Sequence, residues 1–263
     1  MPRNPDMEWE TFGRDDPYYG VVSLDKFHKD KLTGDSLIDF FKSGDEHIQF
    51  VLDKIRANID REFNPSRALD FGCGVGRCLV PLAAHCDTVV GVDVSEAMLK
   101  EAKKNCMAQS VSNVELLKSD DELLDVSGQF DFIHSFIVFQ HIPPARGERI
   151  FSRLISLLSE NGVAAIQFLY YRKVTKAVKA IGYLRKKVPF LHNVINLMFR
   201  KPWAEPLMEK NCYDINKLFL IMHEHGCGNL HATFQGGPDF SSVILFPRKK
   251  TDTVPYESFY NAG

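Results

Sequence analysis

From Arg67 onward the chain alternates short apolar runs with stretches of helical spacing. Runs at Arg67–Phe71, Thr88–Val92, Val114–Leu117, Phe130–Phe136 and Val163–Leu169 read as strands. Between them, Val75 to about His85, Ser95–Cys106 and Ala145–Leu158 carry a helical period. This β-α-β-α rhythm predicts a mostly parallel sheet covered by helices on both faces. Such a sheet binds its ligand beyond the carboxyl ends of its strands, where the strand order reverses. Upstream, Ile48, Val51, Leu52 and Ile55 share one face of a helix predicted over Asp45–Asn58. Downstream, Ile215–His225 reads as a helix stopped by Gly226, followed by strands at His231–Phe234 and Val243–Phe246.

The organisation this predicts is one domain over 1–263, with residues 1–45 as an aromatic and charged N-terminal extension or lid. Residues 46–170 form the core, 171–210 a basic helical cap insertion, 211–250 the final helix and strand pair, and 251–263 a loose tail. From Arg172 to Lys201 there are nine Lys and Arg and no Asp or Glu. Within that stretch Val174, Ala177, Val178, Ile181 and Leu184 follow helical spacing. A solvated cap helix whose apolar face covers the sheet edge is the preferred reading. An acidic or phosphate-bearing acceptor, or an anionic membrane surface, is the alternative partner for its charge.

Composition changes this picture little. With 44% hydrophobic and 25% charged residues and a formal net charge of -2, the chain fits a globular protein without a global pull toward nucleic acid. Its six cysteines include no Cys-x-x-Cys pair, which favours reduced buried thiols over a zinc site, so no metal is expected. The first residues lack a signal-type apolar run and no stretch is apolar enough to cross a bilayer. The cytoplasm, and a monomer or homodimer, are the expectations.

The chemistry concentrates in Asp70-Phe71-Gly72-Cys73-Gly74-Val75-Gly76-Arg77, a strand running into a turn with glycine at alternate positions. Glycine tolerates positive φ and lets a ligand approach the backbone. A dinucleotide fingerprint would place its last glycine where Arg77 stands. Asp70, read as facing the ligand crevice, would repel a pyrophosphate and attract a cation. Some twenty residues on, the strand Val89–Val92 ends in Asp93, an acid able to accept both hydrogen bonds of a ribose diol.

This loop and its acid resemble the motif that opens class I S-adenosylmethionine-dependent methyltransferases of the small-molecule type, over roughly residues 65–170. The resemblance implies a Rossmann-like, seven-stranded sheet and S-adenosyl-L-methionine as cofactor. It places Asp70, Gly72, Cys73, Gly74 and Gly76 around the methionyl part and Asp93 at the ribose. Val94 and Met98 would flank the adenine, with Ser95 serving equally as an ordinary N-cap. Asp120, or its neighbour Asp121, would meet the adenine amino group. Phe130–Pro143 resembles the fourth strand and the loop facing the acceptor, so Phe136 is expected at the site. Tyr18 or Tyr19, in the extension, is expected to contact the cofactor.

Methyl transfer needs alignment and water exclusion before it needs a catalytic group. His141 is the candidate base, and packing in the loop before Pro143 is its other reading. The function expected is methyl transfer to a small molecule, at oxygen rather than nitrogen, since an Asn/Asp-Pro-Pro-aromatic run is missing. A non-catalytic binding module and a nicotinamide-dependent oxidoreductase are the alternatives.

Overall fold

A computed structural model describes residues 4–175, 181–182, 184–185, 191–199, 203 and 205–250. Seven strands form one sheet: β1 (Arg67–Phe71), β2 (Thr88–Asp93), β3 (Val114–Lys118), β4 (Phe130–Ser135), β5 (Leu158–Arg172), β6 (Asn229–Gly237) and β7 (Phe240–Arg248). Their order is β3-β2-β1-β4-β5-β7-β6. The first five run parallel, and β7 inserts antiparallel between β5 and β6. The order reverses between β1 and β4, which pair through Ala68↔Phe132 and Leu69↔Ile133. These four side chains are fully buried. Burial on both sheet faces is why the strands read as near-continuous apolar runs.

The final hairpin is longer than its apolar runs suggested. β6 and β7 pair from Asn229↔Arg248 to Gly237↔Phe240, so the ladder carries polar and glycine positions that hydrophobicity does not mark. β5 likewise starts at Leu158 and continues to Arg172.

Two helices depart from their predicted bounds. α3 (Gly34–Asn58) starts well before Asp45, because Thr33 and Ser36 form a capping box. Its buried face then continues through Phe40 and Gly44 into Ile48, Val51, Leu52 and Ile55. A Cβ at Gly44 would lie 1.9 Å from the Arg77 carbonyl oxygen, so glycine permits the closest approach of α3 to the core. The helix predicted from Val75 shrinks to α4 (Leu79–Ala83). Gly72, Gly74 and Gly76 hold φ of 73°, 53° and 90°, which keeps the preceding segment out of the right-handed helical region.

The remaining core helices are α5 (Glu96–Ala108) and α6 (Pro144–Ser156). The N-terminal extension is helical, with α1 (Pro5–Asp15) and α2 (Pro17–Val21). Phe12, Tyr18, Phe27, Phe40, Val75 and Met98 join these segments to α3, the glycine loop and α5 in one buried cluster. After β5 come α7 (Leu191–Met198) and α8 (Ile215–Glu224). Of the helix anticipated on Val174–Leu184, Ala177 and Val178 lie outside the described residues, as does the tail 251–263. Ile181 and Leu184 are helical, 47% and 44% exposed. Among the described residues no helix is long and apolar enough to cross a membrane.

Candidate active site

A cleft opens at the carboxyl ends of β1, β2 and β4, with about 810 Å³ of empty space including its mouth. Gly72 and Gly74 form one wall. Side chains at these two positions would run into Val138 and Val21, at 2.4 and 2.7 Å, as well as straining a positive φ. The turn is pinned from beneath, where Gly72 and Cys73 both donate their N–H to the Val92 carbonyl.

Asp93 holds the adjoining strand end. Its two carboxylate oxygens accept from Gly74 N and Ser95 N, each at 2.9 Å. One acid thus ties the glycine loop to the start of α5. Each oxygen keeps a second lone pair, so the carboxylate can still receive a vicinal diol. Burial pushes the Asp93 carboxyl up to about 6, against the two backbone donors that favour its charge. Ser95 is the N-cap of α5, accepting from Met98 N at 3.1 Å. Val94 and Met98 line the cleft beside it.

At the far end stand Asp120 and Asp121, in different circumstances. Asp120 is exposed and accepts from Leu124 N at 3.2 Å. Asp121 is held by Arg146, whose Nε lies 2.6 Å from Oδ1. The same guanidinium grips Asp6 of α1 with two bonds, at 2.7 and 3.0 Å. Bidentate geometry makes this a strong pair for its exposure. Glu10, one helical turn further, accepts from Ser95 Oγ at 2.8 Å and Ala97 N at 3.2 Å. Helix α1 is therefore fastened across the cleft at its first turn and at its middle.

The opposite wall is the loop after β4. Phe136, Ile137, Val138 and His141 all face the cleft. Ile137 has φ of 64°, a costly conformation for a β-branched residue. Its N–H donates to Gln167 Oε1 at 3.1 Å, which holds the strained turn in place. His141 is buried, with Nδ1 2.6 Å from the Glu209 carbonyl and Nε2 3.0 Å from Gln140 Nε2. A carbonyl cannot donate, so Nδ1 carries the proton and Nε2 accepts. Burial pulls His141 down to about 4, which leaves the ring neutral near pH 7. Trp9 meets it edge-on at 4.9 Å between centroids.

Several expected residues stand elsewhere. Asp70 is buried behind the loop, with Oδ1 2.8 Å from His134 Nδ1, and does not line the cleft. Strand alternation sends Leu69 and Phe71 to one face of the sheet and Asp70 to the other, beneath α3. Cys73 and Gly76 also lie below the lining: Cys73 is buried against the α3–α4 side, and Gly76 N bonds the Cys73 carbonyl. Tyr18 is buried, its hydroxyl 3.1 Å from Glu101 Oε1 and 3.0 Å from Asn105 Oδ1, and Tyr19 stacks on His28. Neither reaches the cleft, because α2 turns them into the helical cluster and presents Gly20 and Val21 instead.

Asp70, His134 and His47 form a buried chain, the two histidine Nε2 atoms 3.0 Å apart. With Cys78 the two rings bring potential ligand atoms within 4.8 Å of one another. Burial, His134 and the Arg77 guanidinium together push His47 down to about 2, and the same positive charge opposes a metal cation there. Phe136 stacks on His47 at 3.6 Å, so this chain braces the loop after β4 from behind.

Sequence reasoning missed Asp6, Trp9, Glu10 and Arg146. The one local signal was the acidic first turn of α1. Their partners are 25 to 140 residues away, which no local spacing encodes.

Residues 68–162 match the model of a methyltransferase domain. Among curated relatives, the Ubiquinone biosynthesis O-methyltransferase of Rickettsia akari (strain Hartford) is 25% identical over 137 residues, 52% of each chain. That of Coxiella burnetii (strain RSA 493 / Nine Mile phase I) is 28% identical over 128 residues, 48% of this chain and 51% of the relative. The chain spans about half the length of these relatives. The SAH-bound magnesium protoporphyrin IX methyltransferase of Synechocystis PCC 6803 has a similar fold, with a TM-score of 0.62 at 16% identity, over 94% of this chain and 100% of that one. Residues 68–162 thus match a methyltransferase domain, and the sheet and its helices share the Rossmann-like fold of the Synechocystis enzyme, both in line with the resemblance to class I S-adenosylmethionine-dependent methyltransferases.

Proposed function

We propose that this protein transfers a methyl group from S-adenosylmethionine to an oxygen atom of a small molecule with an apolar body. The observation that carries this reading is a pair of groups on opposite walls of one cleft. Asp93 has spare acceptor capacity on both oxygens, and His141 is a neutral ring whose Nε2 accepts.

The cleft fits the cofactor by its donor set and its cradle: an acid for a diol, two glycines where side chains would intrude, and Met98 against an apolar ring. Asp93 would hold the ribose, Gly72 and Gly74 would flank the methionyl chain, and Val94 and Met98 would face the adenine. Exposed Asp120 suits the adenine amino group better than Asp121, whose charge Arg146 already neutralises. Asp70 acts at one remove, by fixing His134 and through it the brace behind Phe136. The bound cofactor supplies an activated methyl on a good leaving group.

The chain's own work is alignment, exclusion of water and proton handling. Trp9 and α1 close the cleft over the acceptor side. An acceptor hydroxyl would replace the Gln140 amide at His141 Nε2 and give up its proton there. The Glu209 carbonyl then stabilises the imidazolium through Nδ1. A nitrogen acceptor with a free lone pair would need no such base. Relatives whose names specify O-methyltransferase support the choice of oxygen.

The test is transfer of labelled methyl from S-adenosylmethionine to a panel of phenols, carboxylates and amines of matched size. Label is expected in the phenols, with transfer dependent on His141. Label confined to amines, or rates unchanged in His141→Ala, would contradict the reading.

A further inference from the structure

α7 is built inside out. Its inward positions are polar: His192 is 3% exposed and Asn196 1%. Its outward positions are aliphatic, with Val194 45%, Leu197 56% and Met198 76% exposed. Phe199 follows at 72% and Trp203 stands 45% exposed. A helix at a protein surface ordinarily turns its apolar stripe toward the core, and a contiguous apolar patch left outside marks a contact.

The orientation is fixed rather than accidental. His192 Nε2 lies 2.8 Å from the Glu205 carbonyl, and Asn196 Nδ2 donates to the same oxygen at 3.0 Å. Arg185 Nη2 donates to Asn196 Oδ1 at 3.2 Å and meets His192 Nδ1 at 2.9 Å. Rolling the apolar stripe inward would break this network and leave buried polar atoms without partners. The segment is also tied to the lid, since Leu207 N donates to Glu8 of α1 at 3.0 Å.

Charge decides what covers the stripe. Counted along the sequence, residues 172–201 hold nine basic and no acidic residues, in a chain whose net charge is -2. A second copy would bring the same positive charge against it. A nucleic acid would satisfy the cations but not Val194, Leu197 and Met198. An anionic lipid surface satisfies both: hydrocarbon would take the aliphatic stripe, headgroups would take the cations that flank it in sequence, Arg200 and Lys201 directly after Phe199 among them, and Trp203 suits the boundary between them. We propose that α7 with Phe199 and Trp203 docks this protein peripherally on an anionic lipid bilayer. This surface lies outside the cleft, and its test needs no methyl transfer.

The full chain would be sedimented with vesicles of phosphatidylcholine, with and without phosphatidylglycerol, at low and high salt. Binding is expected only with phosphatidylglycerol, weakening as salt rises. The double variant Leu197→Asp/Phe199→Asp changes exposed side chains, so its circular dichroism should match the parent. It should bind at least about tenfold more weakly, since two apolar anchors are replaced by charges at a lipid boundary. Lys186→Gln/Lys187→Gln should lose about fivefold per cation at low salt. Absence of sedimentation with anionic vesicles, equal binding to pure phosphatidylcholine, or unchanged binding of the aspartate variant would each overturn the proposal. So would a dimer, seen by light scattering, that the aspartate variant dissolves.

Discussion

The two walls of the cleft are built by different means. The wall of Gly72, Gly74, Asp93 and Met98 comes from one continuous β-α-β-α unit, and the bonds within that unit join residues 2 to 20 positions apart. The wall around His141 is assembled from Trp9, Arg146 and the Glu209 carbonyl, with sequence separations up to 140 residues. A site whose parts are neighbours in sequence is preorganised by the core that carries it. A site whose parts meet only after folding depends on latches, and those latches are where change costs least fold and most function. Cofactor binding should therefore be robust to the lid, and acceptor chemistry sensitive to it.

The sharpest way to break that contrast is His141→Ala. Removal of a general base is worth roughly 10²–10⁴-fold in rate, so turnover should collapse by about that factor while the cofactor dissociation constant stays within about threefold. Steady-state kinetics beside a binding titration reads both. Asp93→Ala should do the reverse in kind. Loss of bonds to a charged acceptor, each worth about 1.5–3 kcal/mol, should weaken cofactor binding by about 100-fold or more.

A pH titration sharpens the role of that acid. The carboxyl is pushed up to about 6, so ionised Asp93 is lost as pH falls through that value. Cofactor affinity should drop by up to about tenfold per pH unit below 6, and Asp93→Asn should flatten the slope. Arg146→Ala severs Asp6 and Asp121 from one another. It should raise hydrogen exchange across residues 5–15 and slow turnover by about tenfold, of the order of one strong charged contact, with the cofactor dissociation constant kept within about threefold. The smallest effect belongs to Tyr18→Phe. It should cost about 1 kcal/mol of stability, read by denaturant melts, and leave cofactor affinity unchanged, because the hydroxyl serves Asn105 and Glu101 rather than the cleft.

The same contrast explains what the sequence made legible. The parallel sheet, the glycine turn and Asp93 are written in local patterns: apolar runs, alternating glycines, an acid at a strand end. The direction of Asp70 was not, because an acid at the end of a strand reads the same on either face, and only the packing of α3 shows it paired with His134. Tyr18 and Tyr19 misled for a related reason. Their place in the extension does not encode direction, and Pro17 opens a short helix that buries Tyr18 and stacks Tyr19 on His28. The strained Ile137 has no local signature, and of the Asp6–Arg146–Asp121 latch only the acidic first turn of α1 is locally marked.

Isothermal titration of the demethylated cofactor into the purified chain at pH 7.5, repeated with Asp93→Ala, bears most directly on all of this. One binding event per chain is expected for the parent, lost or severely weakened in the variant while the fold persists by circular dichroism. No heat from a well-folded parent, or an isotherm indifferent to Asp93, would contradict a cofactor seat at the ends of β1 and β2.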